Sequence, residues 1–176
     1  SRGSSMKAKR VSDSQITLNQ LMLPEHANPL GNVHGGIIMK LVDEAGGLCA
    51  MRHAQRPTVT VAIDSMTFLS PVHVGDLVTL LASLNYVGQT SMEVGVKVIA
   101  ENPLTCQQTH TNSAFLVYVA LDDAGHPTRV PPLTLETDEE RRRWAEGQAR
   151  QEHRLARRRA KAAQSGGDGR PTPPSR

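Results

Sequence analysis

A polar, glycine-rich turn followed by an apolar helix gives this sequence its clearest candidate for chemistry. The turn ends at Gly35 and Gly36, and the helix carries an acidic residue, Asp43. Glycine has no Cβ, so the backbone N–H groups of Gly35 and Gly36 can approach a ligand closely. Free N–H groups at the start of a helix also attract negative charge. The turn therefore suits a negatively charged oxygen, and Asp43 supplies a carboxylate for base or nucleophile chemistry.

The spacing between the turn and the acid constrains how they work together. Asp43 lies seven residues after Gly36, which puts both on nearly the same side of a helix but about 10 Å apart along its axis. One small carbonyl group cannot touch both groups of one chain. We therefore expect a site shared by two chains, each glycine turn facing the other chain's Asp43. The alternative is a solvated Asp43 that pairs with Lys40 on the helix surface.

The length and composition favour one folded domain. A chain of 176 residues can bury a substantial core, and with only 3% aromatic residues that core must rely on aliphatic side chains. No apolar run approaches the roughly 20 residues that span a bilayer, and no signal-like apolar segment follows the basic residues near the start. We expect a soluble, cytoplasmic protein without membrane insertion. Residues 1–10 are predicted to be disordered, the first five resembling an expression-tag remnant.

Metal and disulfide chemistry are not indicated. Cys49 and Cys106 stand in apolar surroundings without ligands at metal-binding spacing, so both are predicted to be small buried residues. Only His34 among seven histidines stands in a motif. Positive charge is concentrated late in the chain, where the segment from Arg141 to Lys161 contains nine Arg and Lys residues. Such a basic patch could meet phosphates.

Hydrophobic periodicity predicts one long helix and several strands. The helix is expected at about residues 36–53 with one apolar side, and strand Ser91–Glu101 is expected to alternate buried residues with Glu93, Gly95 and Lys97 on a partly wet face. Ser113–Leu121 is apolar on both faces, as in a central strand. The other predicted strands are Ile16–Leu23, Thr58–Leu69 and Asp76–Val87. The apolar side of the helix is predicted to comprise Ile37, Leu41, Ala45 and Leu48, and the buried side of Ser91–Glu101 to comprise Met92, Val94, Val96 and Val98.

One helix, one strand before it and a meander of four strands after it predict an α+β domain over residues 11–136. The helix would be wrapped by a curved antiparallel sheet, an order that suggests the hotdog fold. Thr137 and Glu140 form a capping box, which predicts a polar, basic helix over residues 137–163 with Trp144 and Leu155 as its large apolar anchors. Residues 164–176 are predicted to be a disordered tail.

At these residues the chain resembles the hotdog-fold acyl-CoA thioesterases of the cytosolic, or brain-type, acyl-CoA hydrolase family, including its short bacterial single-domain members. The likeness rests on segments 27–36, 39–44, 73–76 and 88–93. It implies hydrolysis of fatty acyl-CoA to free acid and CoA by a trimer of hotdog dimers, without a further cofactor. The family's catalytic Asn and Asp correspond here to Asn28 and Asp43.

The resemblance and the residue chemistry together suggest a role for each candidate. The Gly36 N–H would stabilise an oxyanion, Asp43 would act as general base or nucleophile, and Asn28 would hold the water or the thioester carbonyl. His34 would brace the turn or add a donor, the alternative being a packed structural histidine. Substrate contacts are expected from Gly35, Gly88, Thr90, Ser91 and Arg141, the last reaching toward the nucleotide end of CoA. Hairpin geometry and a solvated helix face are the alternatives for these substrate contacts.

Two other functions fit part of this pattern. A hotdog dehydratase or hydratase would need a histidine paired with an acid, and His34 with Asp43 or Glu44 could provide the pair. The spacing from Asn28 to Gly36 favours hydrolysis instead. A non-catalytic protein could bind acyl-CoA, or nucleic acid through its basic helix, but that helix lacks the interleaved aromatic residues of single-strand binders. We therefore expect acyl-CoA and further copies of this chain as partners, and no nucleic acid.

Overall fold

The computed structural model describes residues 6–166, and residues 1–5 and 167–176 lie outside it. The predictions for the first five residues and for the end of the tail therefore fall outside the described residues. Two short 3-10 turns, Val11–Asp13 and Pro24–His26, connect the early elements. The strands and helices are β1 (Lys9–Arg10), β2 (Ile16–Leu21), α1 (Gly35–Ala54), β3 (Thr58–Phe68), β4 (Leu77–Val87), β5 (Ser91–Asn102), β6 (Gln107–Ala120), β7 (Leu133–Thr134) and α2 (Asp138–Ser165).

A five-stranded antiparallel sheet packs around α1, as predicted for the hotdog fold. Its strand order is β2-β4-β5-β6-β3. The expected meander of four strands is wrong, because only β4, β5 and β6 follow one another in the sheet. Strand β3 lies at the far edge beside β6, so the connection from β3 to β4 crosses the sheet. Alternating hydrophobicity reports the exposure of a strand and not its neighbour, which long-range packing selects.

The two ends of α1 are defined by local hydrogen bonds. At its start the His34 carbonyl accepts the N–H of Ile37 at 3.0 Å. At its end Gln55 adopts a left-handed conformation with φ 53°, as is common for helix C-caps. Lys9 then donates from Nζ to the His53 carbonyl at 2.7 Å, and strand β1, which carries Lys9, pairs with β7. The prediction of disorder up to residue 10 is therefore wrong at Lys9–Arg10, where strand pairing and this cap order the chain.

The hydrophobic core lies between α1 and the inner face of the sheet. Leu41 and Ala45 are buried as predicted, whereas Leu48 is 38% exposed and Ile37 is only partly buried. The buried stripe is wider than predicted, because the curved sheet wraps more of the helix than a flat one would. It is also shifted by one residue, since Ile38 and Cys49 are buried in place of Ile37 and Leu48. Its members are Ile38, Leu41, Val42, Ala45, Gly46, Cys49, Ala50, His53 and Ala54.

The outer face of the sheet is covered by α2. The predicted buried residues of β5 are all buried, but Glu93 on the opposite face is 1% exposed instead of wet. Burial follows because α2 lies over this face and Arg150 binds the Glu93 carboxylate. Alternation within a strand could not predict that α2 covers this face, because Arg150 lies 57 residues from Glu93 in the sequence.

The capping box of α2 is present as predicted. The Thr137 side chain accepts the Glu140 N–H at 3.1 Å, and the Glu140 carboxylate accepts the Thr137 N–H. The helix continues to Ser165, so residues 164 and 165 are helical and not part of a disordered tail. Trp144 packs on Tyr86 with ring centroids 4.6 Å apart. Within residues 6–166, no helix is long and apolar enough to cross a membrane.

The two cysteines occupy different environments, contrary to the prediction that both are buried. Cys49 is buried in α1, whereas Cys106 is exposed. Cys106 precedes β6 in the turn that follows Asn102 and has a φ of 58°. Its side chain therefore belongs to a surface turn and not to the strand that the apolar context suggested.

Candidate active site

The turn before α1 holds Asn28 by its side-chain oxygen. Asn28 Oδ1 accepts the N–H groups of Leu30 and Asn32 at 3.0 and 3.1 Å. A backbone bond from His34 N–H to the His26 carbonyl, at 2.9 Å, ties this turn to the start of the helix. The Asn28 Nδ2 amide has no hydrogen-bond partner among residues 6–166, so it remains able to donate to a ligand. Asn28 and the glycine turn thus form one local unit.

The first two N–H groups of α1 belong to glycines, Gly35 and Gly36, and have no hydrogen-bond partner among the described residues. A Cβ at Gly36 would meet no atom within 4 Å, which leaves room for a ligand atom close to the backbone. His34 is the N-cap residue, and its side chain is exposed and makes no cap hydrogen bond. The structure therefore gives His34 a backbone role at this turn.

Asp43 lies in a cavity of about 580 Å³ between α1 and the inner face of the sheet. Its side chain is half-buried, and the walls combine apolar and polar groups. Asp43 Oδ1 accepts hydrogen bonds from the Thr60 hydroxyl at 2.8 Å and the Tyr118 hydroxyl at 3.0 Å. Oδ2 accepts none from the described residues and remains available for chemistry. The apolar wall consists of Leu18, Leu41, Leu48, Met51 and Leu80.

Thr60 and Tyr118 are site residues that the sequence did not reveal. They lie 17 and 75 residues from Asp43 and belong to strands β3 and β6. Burial raises the pKa of Tyr118 well above its usual range, and the nearby Asp43 carboxylate raises it further. Tyr118 therefore stays neutral at neutral pH and can donate its proton. No local pattern marks either residue, because each meets Asp43 only through the pairing of strands around the helix.

Within one chain the two halves of the predicted site do not meet. The residues that line the Asp43 cavity include neither Asn28 nor Gly36. This agrees with the separation of about 10 Å that seven helical residues impose. The carboxylate and the free N–H groups therefore occupy different parts of α1.

The predicted substrate contacts separate into two locations. Thr90 and Ser91 line a groove of about 450 Å³ on the outer side of the sheet, which also contains Arg157, Arg158 and Lys161. Gly88 belongs to the same hairpin and donates its N–H to the Ser91 carbonyl. Arg141 lies elsewhere, in the first turn of α2, where it binds Asp138 at 2.6 Å. The hairpin and the second half of α2 therefore come together, and Arg141 stays apart from them.

Metal binding has no obvious location in the described structure. Among residues 6–166 there is no group of three or more His, Cys, Asp or Glu side chains arranged to hold an ion.

Several known proteins are similar to this chain in sequence. Residues 30–107 match the family model described as the thioesterase superfamily. The chain is 40% identical over 141 residues to "Protein VdlD" of Helicobacter pylori, covering 80% of each chain. It is 37% identical over 142 residues to the cytosolic acyl coenzyme A thioester hydrolase of Rattus norvegicus, covering 80% of this chain and 37% of the rat protein.

Solved structures match over most of their length. An apo-hexameric acyl-CoA thioesterase superimposes with a TM-score of 0.83 and 39% identity, covering 86% of this chain and 97% of that one. An acyl-CoA hydrolase from Staphylococcus aureus, solved in complex with butyryl coenzyme A, coenzyme A and coenzyme A disulfide, gives a TM-score of 0.81 and 33% identity, covering 90% and 96%. The chain therefore belongs to the thioesterase superfamily and is one of its hotdog-fold acyl-CoA thioester hydrolases.

Proposed function

We propose that the chain hydrolyses fatty acyl-CoA at a site built by two protomers, with Asp43 as the catalytic carboxylate. The observation that carries the proposal is the environment of Asp43. One carboxylate oxygen is bound by two neutral hydroxyl groups, the other has no donor among the described residues, and the side chain lines a cavity with an apolar wall. No cation within the described chain pairs with this carboxylate, so its charge remains available for chemistry.

Two routes use the free Asp43 oxygen. As a base, Oδ2 takes a proton from water, the water oxygen adds to the thioester carbonyl, the C–S bond breaks, and the proton is passed on to the departing CoA sulfur. As a nucleophile, Oδ2 itself adds to the carbonyl and expels the thiolate, and water then hydrolyses the anhydride. Rapid acid quenching followed by mass spectrometry separates the routes, since only the second leaves an acyl group on the protein.

In either route negative charge develops on the carbonyl oxygen. The free Gly36 N–H at the start of α1 is suited to receive that charge, an interaction worth about 3 to 4 kcal/mol in comparable oxyanion holes. Asn28 Nδ2 is a second donor on the same turn, placed to hold the carbonyl or the attacking water. Both donors lie at or just before the start of α1, and Gly36 is about 10 Å from Asp43 along the helix axis.

The edge strand β3 supports assembly of the two halves from different chains. Val59, Val61 and Ile63 are apolar yet 42–43% exposed, on a strand whose outer edge has no partner among residues 6–166. Such an edge needs a cover. One end of β3 carries Thr60 beside Asp43, and the Phe68 ring at the other end lies 3.7 Å from where a Cβ on Gly35 would be. Antiparallel pairing of two β3 strands would therefore bring Asp43 toward Gly36 of the partner subunit.

The remaining parts of the substrate fit surfaces already described. The apolar wall of the Asp43 cavity suits the acyl chain, and the groove at Thr90 and Ser91 offers hydroxyl and cationic groups to the CoA phosphates. Gly88 would contribute backbone contacts at this groove, and Gly35 would contribute them at the turn before α1. The solved hexameric neighbour supports a trimer of dimers, and the rat relative named as cytosolic supports a cytoplasmic location.

Hydrolysis is favoured over hydration of the acyl chain. The rat relative is named an acyl coenzyme A thioester hydrolase and the Staphylococcus aureus neighbour an acyl-CoA hydrolase, which supports hydrolysis. A spectrophotometric assay of thiol release on short, medium and long acyl-CoAs tests the proposal. Folded, oligomeric protein that releases no thiol from any of them contradicts it.

Mixing two inactive variants tests the shared site. Asn28→Ala should lose the donor half of each site and Asp43→Ala the carboxylate half. In a mixed dimer one site keeps both halves intact and the other loses both, so up to about half of the sites in those dimers should recover. Absence of recovery after subunit exchange has been verified by native mass spectrometry would show that each chain builds its own site.

A further inference from the structure

The Tyr118 hydroxyl reaches the candidate catalytic carboxylate from the interior of the sheet. Its oxygen lies 3.0 Å from Asp43 Oδ1 and 3.1 Å from the Asp43 carbonyl oxygen. A phenol has one proton, and its bond to the charged carboxylate is the stronger of the two. Tyr118 is 1% exposed and belongs to β6, which is paired on both sides. It is therefore a more firmly held donor than Thr60 on the edge strand.

Gly46 leaves the space that this contact requires. A Cβ at Gly46 would collide with the Tyr118 hydroxyl and lie 3.2 Å from two carbons of its ring. Glycine in the interior of a helix is unfavourable because it loses more conformational freedom on folding than other residues. The helix thus carries an unfavourable residue one turn after Asp43, at the point where the phenol passes.

Both hydroxyl donors bind the same oxygen of Asp43. With Oδ1 held by Thr60 and Tyr118, rotation of the carboxylate is restricted, and Oδ2 accepts no hydrogen bond from the described residues. An oxygen that must meet water or a carbonyl carbon reacts faster when its direction is already set. The geometry favours Tyr118 as the group that sets this direction.

We propose that Tyr118 is a positioning residue for Asp43, and that the opening at Gly46 exists to let its hydroxyl bind Oδ1. The proposal rests on the catalytic role proposed for Asp43. Tyr118 itself contributes no atom to the reaction. Its hydroxyl orients the carboxylate, and the effect of losing it belongs to turnover and not to substrate affinity.

Tyr118→Phe removes only the hydroxyl and tests the proposal in the assembled enzyme. We expect kcat to fall about 10- to 100-fold, the loss typical of one hydrogen bond to a charged group, with KM for acyl-CoA changed less than about twofold. Tyr86→Phe is the matched control, because Tyr86 packs on Trp144 away from Asp43, and it should keep wild-type kcat. Thermal melting and native mass spectrometry verify that each variant is folded and assembled.

Gly46→Ala provides an independent test that leaves the phenol and the carboxylate intact. The added methyl group must push the hydroxyl away from Oδ1, so kcat should fall to a similar extent. The double variant Gly46→Ala/Tyr118→Phe should be no slower than the slower single variant, because both changes act through one contact. If the two losses in kcat add up in the double variant, Gly46 acts separately from Tyr118. That result would overturn the role of Gly46 as the opening for the Tyr118 hydroxyl.

The outcomes separate this proposal from the one on which it rests. Wild-type kcat in Tyr118→Phe, with Asp43→Asn inactive, overturns the positioning role and leaves the catalytic role of Asp43 intact. A raised KM with unchanged kcat also overturns it, since Tyr118 would then serve substrate binding. Full activity in Asp43→Asn removes the catalytic role of Asp43 and the positioning proposal with it.

Discussion

Asp43 and Glu93 are carboxylates on opposite faces of one sheet, and their partners differ in kind. Asp43, on the inner side, receives two neutral hydroxyl donors on one oxygen. Glu93, on the outer side, receives a bidentate Arg150 guanidinium at 2.7 and 2.9 Å and the Asn85 amide at 3.2 Å, so both its oxygens are occupied. A carboxylate with a cation on both oxygens holds structure together, whereas one with neutral donors and a free oxygen can react.

The same contrast separates the two helices. Helix α1 packs through an apolar stripe that spans its whole length. Helix α2 buries only Gly147 among the residues described, so its attachment depends on a few specific contacts. Arg150 makes two of these contacts with the sheet. Its guanidinium group binds Glu93 and also lies over the Phe115 ring, 3.8 Å from the ring centroid. Charge pairing therefore replaces apolar area where α2 meets the sheet.

The largest expected effect is on turnover. Asp43→Asn keeps the size of the side chain and removes its charge, so kcat should fall about 10³-fold, within the range that general base catalysis contributes. Steady-state kinetics on a medium-chain acyl-CoA measure the loss. Glu44 is an exposed acid that lines the same cavity but receives no hydroxyl donor among the described residues, so Glu44→Gln should change kcat less than about threefold. Equal losses of kcat in the two variants would contradict the catalytic role of Asp43.

Glu93→Gln should affect stability and not turnover. Its side chain is fully buried while that of Arg150 is 24% exposed, so the unpaired guanidinium regains part of its hydration. We expect a loss of about 2 to 3 kcal/mol in unfolding free energy, below the usual cost of breaking a fully buried pair. Urea denaturation measures it, with Glu101→Gln on the same strand as the control. A larger effect on kcat than on stability would contradict the contrast between the two carboxylates.

Replacing both partners of this pair should cost less than removing one. In Glu93→Met/Arg150→Met no unpaired charge remains, and apolar side chains of similar length fill the space between α2 and the sheet. Unfolding free energy should return to within about 1 kcal/mol of the wild type. If the double variant is as unstable as Glu93→Gln, the pair stabilises through its own attraction and not merely by avoiding an orphaned charge.

His53 extends the contrast to a buried group without a charged partner. It is fully buried, its Nε2 lies 2.7 Å from the Pro131 carbonyl, and burial lowers the pKa of His53 below its usual 6.5. The unfolded chain therefore binds the proton more tightly. The stability from neutral His53 is complete above pH 6.5 and is lost as the pH falls through the lowered folded pKa. Melting temperatures measured between pH 8 and 5 should therefore decline below about pH 6.5. The decline should be smaller in His53→Gln and the same as in the wild type in His153→Gln.

The smallest effect concerns the cysteines. Burial raises the pKa of Cys49 to about 11, whereas Cys106 is exposed. A thiol reagent at pH 8 should label Cys106 in the native protein and reach Cys49 only on unfolding, because the thiolate is the reactive form. Counting labels by mass spectrometry checks this, and Cys106→Ser should abolish native labelling. Rapid native labelling of the Cys106→Ser variant would contradict the burial of Cys49.

Local sequence patterns were sufficient to predict the helices, most of the strands and the candidate residues near the start of α1. The glycine turn predicted the start of α1, and the capping box of Thr137 and Glu140 predicted the start of α2. Asn28 and Asp43 were recognised together with the family likeness. These features depend on neighbours within a few residues, so backbone preferences, capping and periodicity are enough to predict them.

Contacts between distant residues became visible only in the folded chain. Strand β3 joins the far edge of the sheet, and this pairing with β6 brings Thr60 and Tyr118 to Asp43 from positions 17 and 75 residues away. Glu93 reads as a solvent-facing residue of its strand and is buried because α2 returns over it. Periodicity records which face of an element is apolar. It cannot record what will cover the polar face, because that depends on the packing of segments far apart in the chain.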